Sequence, residues 1–180
     1  EKKVNICEIM TADCANGEGM RVTVFVSGCT NHCEGCFQPE TWDFNYGVKY
    51  TIEIENNIIN ELEKPYYNGL TILGGEPFEP SNQEVLVNLI ERVRKELPDK
   101  SIWMYTGNTY KDLLPGGRRY TKVTDRILKN IDVLVDGRFM IDKKNIALNY
   151  RGSENQTIID MKRTRLMGAV VLHALNNKIK

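Results

Sequence analysis

The sequence alternates between short runs of β-branched residues and amphipathic helical segments, and this alternation restricts the possible fold more than any other feature. Runs of β-branched residues that end in glycine turns predict strands, and apolar residues that recur every three or four positions predict helices. The predicted strands cover residues 21–27, 69–75, 101–107, 131–139 and 156–160. The predicted helices cover residues 51–64, 81–97 and 121–130, and the segment 163–180 is interpreted as another helix, interrupted at Gly168.

The order of these segments predicts the fold class. Strands that are joined by helices form parallel sheets with right-handed connections, so we expect an α/β fold. Within the helix predicted at 81–97, Ser81 is followed three positions later by Glu84, a spacing typical of a capping box at a helix N-terminus. A chain of 180 residues fits one domain with a substantial core, and we expect residues 1–180 to form a single domain.

The first four predicted strands each end in glycine and polar residues. Ligands of parallel α/β sheets bind beyond the carboxyl ends of the strands, where these residues would meet. We therefore predict one shared site, built from the segments 28–29, 74–77, 105–107 and 136–138.

The charge balance and the absence of long apolar runs narrow the classes of partner. Lys plus Arg and Asp plus Glu both number 24, so the formal net charge is zero, and we expect no nucleic-acid partner because such binding uses a clustered basic excess. No apolar run approaches the roughly 20 residues that span a bilayer. The first ten residues lack the apolar stretch of a signal peptide. We expect a cytoplasmic protein with no membrane partner.

Three of the five cysteines lie within eight positions, at Cys29, Cys33 and Cys36. An odd number of cysteines in a chain of this size does not suit a secreted disulfide scaffold. The glycine, asparagine and proline residues around them favour a loop over a helix, and in a loop three thiolates can converge on one metal centre. Cys7 and Cys14 lie outside this group and are predicted to be packed or surface thiols.

Three interpretations of the cysteine group remain open on the residues alone. The thiols could pack in the interior, as free cysteines often do. They could bind zinc, although zinc usually takes four ligands and the adjacent His32 is expected to point away from Cys33. They could bind an iron–sulfur cubane, which normally takes four thiolates, and with three of them one iron keeps an open coordination position. An open position on a metal is typical of a reactive site.

The Cys-x3-Cys-x2-Cys spacing after the first strand resembles the signature of the radical S-adenosylmethionine enzymes. The resemblance implies a [4Fe-4S] cluster with Cys29, Cys33 and Cys36 as its metal ligands. It also implies that the free iron chelates S-adenosylmethionine, that the reduced cluster cleaves this molecule, and that the 5′-deoxyadenosyl radical so formed takes a hydrogen atom from the substrate. By the same resemblance, the catalytic groups are the cluster and the cofactor, with no catalytic side chain beyond them.

The sequence Leu-Gly-Gly-Glu-Pro at 73–77 resembles the Gly-Gly-Glu-Pro element of the same family, which contacts the methionine amino group. The resemblance implies that Glu76 receives this amine and that residues at the other strand ends bind the cofactor. The resemblance is also compatible with a monovalent cation near Asp136. The implied cofactor-binding residues are Gly35, Cys36, Phe37, Gly74, Gly75, Glu76, Thr106, Asp136 and Arg138.

Several motifs together resemble the activating components of anaerobic, class III ribonucleotide reductases. These motifs are the cysteine segment, Leu-Gly-Gly-Glu-Pro, Tyr-Thr-Gly at 105–107, Val-Leu-Val-Asp-Gly-Arg-Phe at 133–139 and Arg-Gly-Ser-Glu-Asn-Gln at 151–156. The resemblance covers about 9–160 and implies a partial, roughly six-stranded β/α barrel, with residues 161–180 as a C-terminal extension. Glu18 departs from the family pattern, which usually has proline there.

An activating component acts on a protein. The resemblance implies that the chain takes a Cα hydrogen from a glycine of the large subunit of the anaerobic ribonucleotide reductase and leaves a glycyl radical there. An electron donor such as flavodoxin or ferredoxin supplies the electron. Two alternatives keep the radical chemistry, namely an activating enzyme of formate-lyase type and an enzyme that acts on a small molecule. A third alternative is not an enzyme but a small iron–sulfur or zinc-binding module.

Overall fold

Seven strands form one mixed sheet in the computed structural model, which describes residues 3–178, and their order is β3-β1-β2-β4-β5-β6-β7. The strands are β1 (Asn5–Asp13), β2 (Arg21–Val26), β3 (Val48–Lys49), β4 (Gly69–Gly74), β5 (Ser101–Tyr105), β6 (Val133–Asp136) and β7 (Thr157–Asp160). The α-helices are α1 (Ile52–Leu62), α2 (Pro80–Glu96), α3 (Thr124–Leu128) and α4 (Met161–Met167). Short 3-10 helices cover Pro39–Trp42, Tyr110–Leu113, Ile141–Lys143 and Ala174–Asn177.

The four central strands β2, β4, β5 and β6 run parallel, as the alternation of strands and helices predicts. A parallel sheet is covered on both faces, so its strands consist of continuous runs of buried residues that can be recognised in the sequence. Every residue of β2 is buried. The outer strands β1, β3 and β7 are antiparallel to their neighbours. The α/β class is therefore correct and the strand number is larger than the predicted six, whereas closure into a partial barrel stays a prediction.

Strand β1 escapes sequence-based prediction because its pairing is irregular. Its register against β2 shifts twice, between Ile6 and Glu8 and between Met10 and Asp13. Each shift interrupts the alternation of buried and exposed side chains by which a strand is recognised in a sequence. Strand β3 has only two residues, both exposed, and leaves no pattern at all.

Helix α2 begins differently from its prediction. It starts at Pro80, and the preceding residue Glu79 makes no side-chain bond to the first turn. The capping box predicted from Ser81 and Glu84 is therefore wrong, because proline, which suits the first helical position, starts the helix one residue earlier. Within the described range, no helix is long and apolar enough to cross a membrane.

The C-terminal helix is also shorter than the sequence predicts. Gly168 ends α4 in a left-handed conformation, with a φ of 67°. The chain then returns to the sheet, where Leu172 forms a bridge with Ile159. A single helix through the tail is therefore wrong between Gly168 and Lys178, and the last two residues lie outside the described range.

The two faces of the sheet carry different sets of side chains, as the two-residue period of a strand requires. In β5, Ile102 and Met104 belong to the main core, which also includes the buried residues of helices α1, α2 and α3. Trp103 belongs to a smaller cluster on the opposite face, with Tyr105 packed against it. We call this second face the cavity face.

Arg21 fills the end of the cavity face where the parallel strands begin. The side chain is fully buried. Its guanidinium donates hydrogen bonds to the Thr71 hydroxyl and the carbonyls of Glu18 and Leu70, and both Ser101 oxygens accept a bond as well. Burial lowers the pKa of Arg21 to about 10, so the group stays charged at neutral pH. This end of the cavity face is thus closed by one saturated cation.

Candidate functional site

The carboxyl ends of the parallel strands open onto a cavity of about 720 Å³ on the cavity face. Sites that enclose a cofactor or a drug-sized molecule have volumes of roughly 300–1,000 Å³. The predicted site residues that line it are Cys29, Cys33, Cys36, Phe37, Gly74, Gly75, Glu76 and Thr106. The other three predicted site residues, Gly35, Asp136 and Arg138, are not among the described residues that line the cavity. Three of the four predicted strand ends therefore meet at one site.

The cysteine loop, residues 29–36, begins where β2 ends. Gly28 has a φ of 98°, a left-handed conformation that favours glycine. The Gly28 amide donates to the Thr41 carbonyl over 2.7 Å, and the Cys29 amide donates to the Trp42 carbonyl over 3.3 Å. These bonds fasten the first cysteine to the short helix that follows the loop.

All three thiols of the cysteine loop are free. Cys29 is buried, whereas Cys33 and Cys36 are partly exposed. Burial, together with the nearby carboxylates of Glu76 and Glu79, raises the pKa of Cys29 to about 11. This sulfur therefore carries a proton at neutral pH, and a metal centre that binds it has to displace that proton.

The donor set of the loop is three cysteine sulfurs that line one cavity. Among residues 3–178, no three or more His, Cys, Asp or Glu side chains are grouped so that they could hold one metal ion. Each thiolate of a cubane binds a different iron, so the ligands surround the cluster and do not meet at one point. Three soft sulfur ligands that line one large cavity match this requirement.

Two residues of the cavity wall carry buried donors. Trp42 Nε1 and Tyr105 Oη have no hydrogen-bond partner in the described part of the chain, and both residues line the cavity. A buried polar group without a partner costs about 1–3 kcal/mol. Both atoms lie beneath the cavity surface, so a bound molecule would reach them only after a movement of these side chains.

The Gly-Gly turn after β4 packs against the cysteine loop. The Gly75 amide donates to the Val26 carbonyl over 2.7 Å, and the Glu76 amide donates to the Gly28 carbonyl over 2.8 Å. A Cβ atom added at Gly75 would lie 2.6 Å from the Gly28 oxygen. Glycine is therefore required here by a close approach to the backbone that leads into Cys29.

We expect Gly75→Ala to lower the iron content of the reconstituted protein, because the added methyl group displaces the Gly28 carbonyl and the cysteine after it. The free energy of unfolding should fall by about 1–3 kcal/mol, the usual cost of overpacking. Denaturant titration and iron analysis measure the two effects. Gly116→Ala is the control for iron content: the φ of 85° at this position strains alanine and lowers the free energy of unfolding, but the added Cβ meets nothing within 4 Å and leaves the cysteine loop untouched. Full iron content in Gly75→Ala would contradict the role of this turn.

The Glu76 carboxylate is fully buried and accepts four hydrogen bonds. Oε1 accepts from the Phe78 amide over 2.9 Å and from the Thr106 hydroxyl over 2.8 Å. Oε2 accepts from the Gly107 amide over 2.8 Å and from the Asn31 side chain over 3.1 Å. Burial raises the pKa of this carboxyl, and the hydrogen bonds oppose the rise. Glu76 thus braces two strand ends and the cysteine loop, and an amine would compete with these four bonds.

A buried ion pair between Glu79 and Arg119 lies beside the start of the cysteine loop. Nη1 of Arg119 lies 2.8 Å from Oε2 of Glu79, and Nη2 lies 3.0 Å from Oε1, a bidentate geometry. Oε1 also accepts from the Thr30 amide over 2.7 Å and from its hydroxyl over 2.6 Å. Because Thr30 follows Cys29, the pair anchors the loop to the beginning of α2.

Asn31, midway between Cys29 and Cys33, is the centre of a second set of contacts. Its side-chain oxygen accepts from Nη2 of Arg118 over 2.7 Å, and its backbone oxygen accepts from Nη2 of Arg138 over 2.8 Å. Asn31 is 8% exposed, whereas both arginines are exposed. Two guanidinium groups from different loops therefore hold one buried residue of the cysteine loop.

Asp136 and Gly35 lie outside the cavity. Asp136 is buried, with one carboxylate oxygen accepting from the Tyr110 amide over 2.8 Å and the other from the Thr157 hydroxyl. Its side chain therefore joins β6 to neighbouring elements. Gly35 is exposed at the tip of the cysteine loop, where Ile141 lies against it.

Aromatic side chains border the cysteine loop. Phe37 is 66% exposed, and its ring centroid lies 5.1 Å from that of Phe139. His32 is exposed and stacks on Trp42 at 4.4 Å between ring centroids. Phe37 therefore covers one edge of the cavity, and His32 lies on the surface.

Four residues of the site have no counterpart in the sequence-based prediction, namely Asn31, Glu79, Arg118 and Arg119. Their contacts join positions as far apart as 107 residues, as between Asn31 and Arg138. Such contacts follow from the order of strands in the sheet and not from any local motif. The one signal available is the Arg-Arg pair after Gly-Gly at 116–117, which marks a turn but indicates no partner.

The sequence matches an iron–sulfur family and a set of curated relatives. A family model described as a 4Fe-4S single cluster domain matches residues 15–159. An anaerobic ribonucleoside-triphosphate reductase-activating protein from Haemophilus influenzae is 40% identical over 157 residues, which cover 86% of this chain and 97% of that relative. Proteins of the same description from Escherichia coli K12 and enterobacteria phage T4 are each 36% identical over 157 residues, with 97% and 93% of their lengths covered.

Proposed function

This chain belongs to the family of anaerobic ribonucleoside-triphosphate reductase-activating proteins, and on that basis we propose that it forms a glycyl radical on an anaerobic ribonucleotide reductase. The reaction is the reductive cleavage of S-adenosylmethionine at a [4Fe-4S] cluster. The main support is that the free thiols of Cys29, Cys33 and Cys36 line one cavity with the Gly-Gly turn of β4. When bound, the reduced cluster supplies one electron to the sulfonium, and the adenosyl group released takes a hydrogen atom from a glycine.

The side chains and backbone of this chain bind and orient the reactants. The thiolates of Cys29, Cys33 and Cys36 would hold the cluster, and an iron without a protein ligand would be free to bind the cofactor. Gly74 and Gly75 bring backbone groups close to the cofactor, and the remaining contacts in the cavity wall come from Cys36, Phe37, Glu76 and Thr106. Gly35, Asp136 and Arg138 are not among the described residues that line the cavity, and their contacts with the cofactor stay predictions. A monovalent cation near Asp136 stays a prediction.

The cavity also suits a reaction that must exclude water. Phe25 and Leu73 give its wall an apolar part beside the sulfur ligands. A reactive carbon centre needs such surroundings because solvent and stray hydrogen donors would quench it. A partial barrel of the radical S-adenosylmethionine type leaves one side through which a peptide loop of the reductase can enter. We propose that residues 1–180 form this single domain.

The proposed reaction needs an electron donor and a reducing compartment. A one-electron donor such as flavodoxin or ferredoxin reduces the cluster, because the reaction consumes one electron for each cofactor cleaved. A cytoplasmic location fits both the donor and the reductase, and five free thiols suit a reducing compartment.

We expect anaerobically reconstituted and reduced protein to convert S-adenosylmethionine into methionine and 5′-deoxyadenosine, which chromatography measures. The electron paramagnetic resonance spectrum of the reduced cluster should change when the cofactor is added, since the cofactor binds an iron. Adding the large subunit of the reductase should produce a glycyl radical signal on that subunit, and omission of the reductant is the control.

Other outcomes would favour the other functions. A glycyl radical on a formate-lyase-type enzyme, with none on the reductase, would contradict the proposed partner. An unchanged spectrum and no 5′-deoxyadenosine would contradict the proposed reaction and leave an iron–sulfur module.

A further inference from the structure

Two exposed cations contact the cysteine loop without a carboxylate partner. Arg118 and Arg138 both donate to Asn31, at 2.7 and 2.8 Å. Neither arginine takes part in an ion pair with a carboxylate in the described range 3–178. Their charge is therefore not neutralised by the protein around them.

The third arginine of this region behaves differently. Arg119 is buried and forms a bidentate pair with Glu79, so its charge is compensated. The other buried carboxylate near the loop, Glu76, bonds to the Asn31 side chain over 3.1 Å, and burial raises its pKa. Arg118 and Arg138 therefore add two positive charges to a loop whose first cysteine lies near the carboxylates of Glu76 and Glu79.

We propose that Arg118 and Arg138 are positioning residues that fix Asn31 and raise the reduction potential of the cluster. This inference rests on the proposed function. Reduction adds one negative charge to a [4Fe-4S] centre, and nearby charges and hydrogen bonds set its potential. Asn31 lies midway between two of the three ligands, Cys29 and Cys33, so two cations bound to it stabilise the reduced form.

Two substitutions separate the charge of these arginines from their hydrogen bonds. The double variant R118Q/R138Q removes both charges and keeps an amide donor at each position. The double variant R118K/R138K keeps both charges and loses the planar geometry of the guanidinium group. A purely structural role would make the two variants equally defective, whereas an electrostatic role makes only the glutamine variant defective.

The test is a potentiometric titration of the reconstituted protein with dithionite, followed by electron paramagnetic resonance at low and high salt. We expect R118Q/R138Q to have a more negative midpoint potential than the parent protein, and R118K/R138K to match the parent. The difference in midpoint potential between R118Q/R138Q and the parent protein should become smaller at high salt, because salt screens exposed charges. Arg163→Gln is the matched control. This exposed arginine lies on α4, at the end of the sheet where β6 begins, and the cysteine loop lies at the opposite end.

The unfolding midpoint of the apo-protein should change by the same small amount in R118Q/R138Q and R118K/R138K, because both variants lose the guanidinium bonds to Asn31 and keep a donor at each position. Equal midpoint potentials in the parent protein and R118Q/R138Q at low salt would overturn the inference. A shift in R118K/R138K as large as that in R118Q/R138Q would overturn it too. Absence of 5′-deoxyadenosine from the parent protein, with the potential shift intact, would overturn the proposed function and leave this inference standing.

Discussion

Replacement of any one of Cys29, Cys33 and Cys36 by alanine should reduce 5′-deoxyadenosine formation to the level of a protein-free control. Each substitution removes one of the three thiolates that line the cavity, and a cubane with two protein ligands is not held in place. Iron and sulfide analysis after anaerobic reconstitution measures cluster retention, and chromatography measures the product.

Cys7 and Cys14 provide matched controls for these variants. Both are free thiols, and among the described residues neither lines the cavity. Cys7→Ala and Cys14→Ala should therefore keep the iron content and product yield of the parent protein. Full activity in any of the three loop variants, or loss of activity in a control variant, would contradict the assignment of the ligands.

Arg119→Met should lower the free energy of unfolding of the apo-protein by about 3–5 kcal/mol, because it leaves a buried carboxylate without its cation. Arg119 and Glu79 are only 8% and 3% exposed, so water cannot replace the lost contact. The orientation of Thr30, which Glu79 fixes, is disturbed as well. Denaturant titration of the apo-protein, followed by circular dichroism, measures the change.

Two other variants establish whether burial is the cause. In Arg126→Met, the pair with Glu91 has side-chain exposures of 46% and 35%, so the loss should be about 1 kcal/mol or less. The double variant R119M/E79M removes both buried charges and should be less destabilised than Arg119→Met alone. Equal losses of unfolding free energy in Arg119→Met and Arg126→Met would contradict burial as the cause of the larger effect.

The parallel strands could be predicted because the physical signal of each is local. All six residues of β2 and all four of β6 are buried, and so are four of six in β4 and three of five in β5, so apolar runs mark these strands directly. Strand β1 could not be predicted, since two register shifts place its apolar side chains out of phase. The wrong capping box at Ser81 has a similar cause, because the proline before it already starts the helix.

The same distinction between local and long-range signals applies to the residues of the site. The three cysteines lie within eight positions and the two glycines of the Gly-Gly turn are neighbours, so each motif is local and its resemblance to a family could be recognised in the sequence. The contact between Arg138 and Asn31 spans 107 positions and exists only because β6 lies in the same sheet as β2. Asp136 at the end of β6 bonds to Tyr110 and Thr157 and does not line the cavity, so its contact with the cofactor stays a prediction.

Arg21 bears on the direction from which reactants reach the cavity. Arg21 and the residues that accept its hydrogen bonds fill the end of the cavity face where the parallel strands begin, and none of them is among the described residues that line the cavity. We therefore expect reactants to arrive at the carboxyl ends of the strands, beside the cysteine sulfurs. Under the proposed function, a small cofactor and a protein substrate would share this approach, so the order in which they bind would matter.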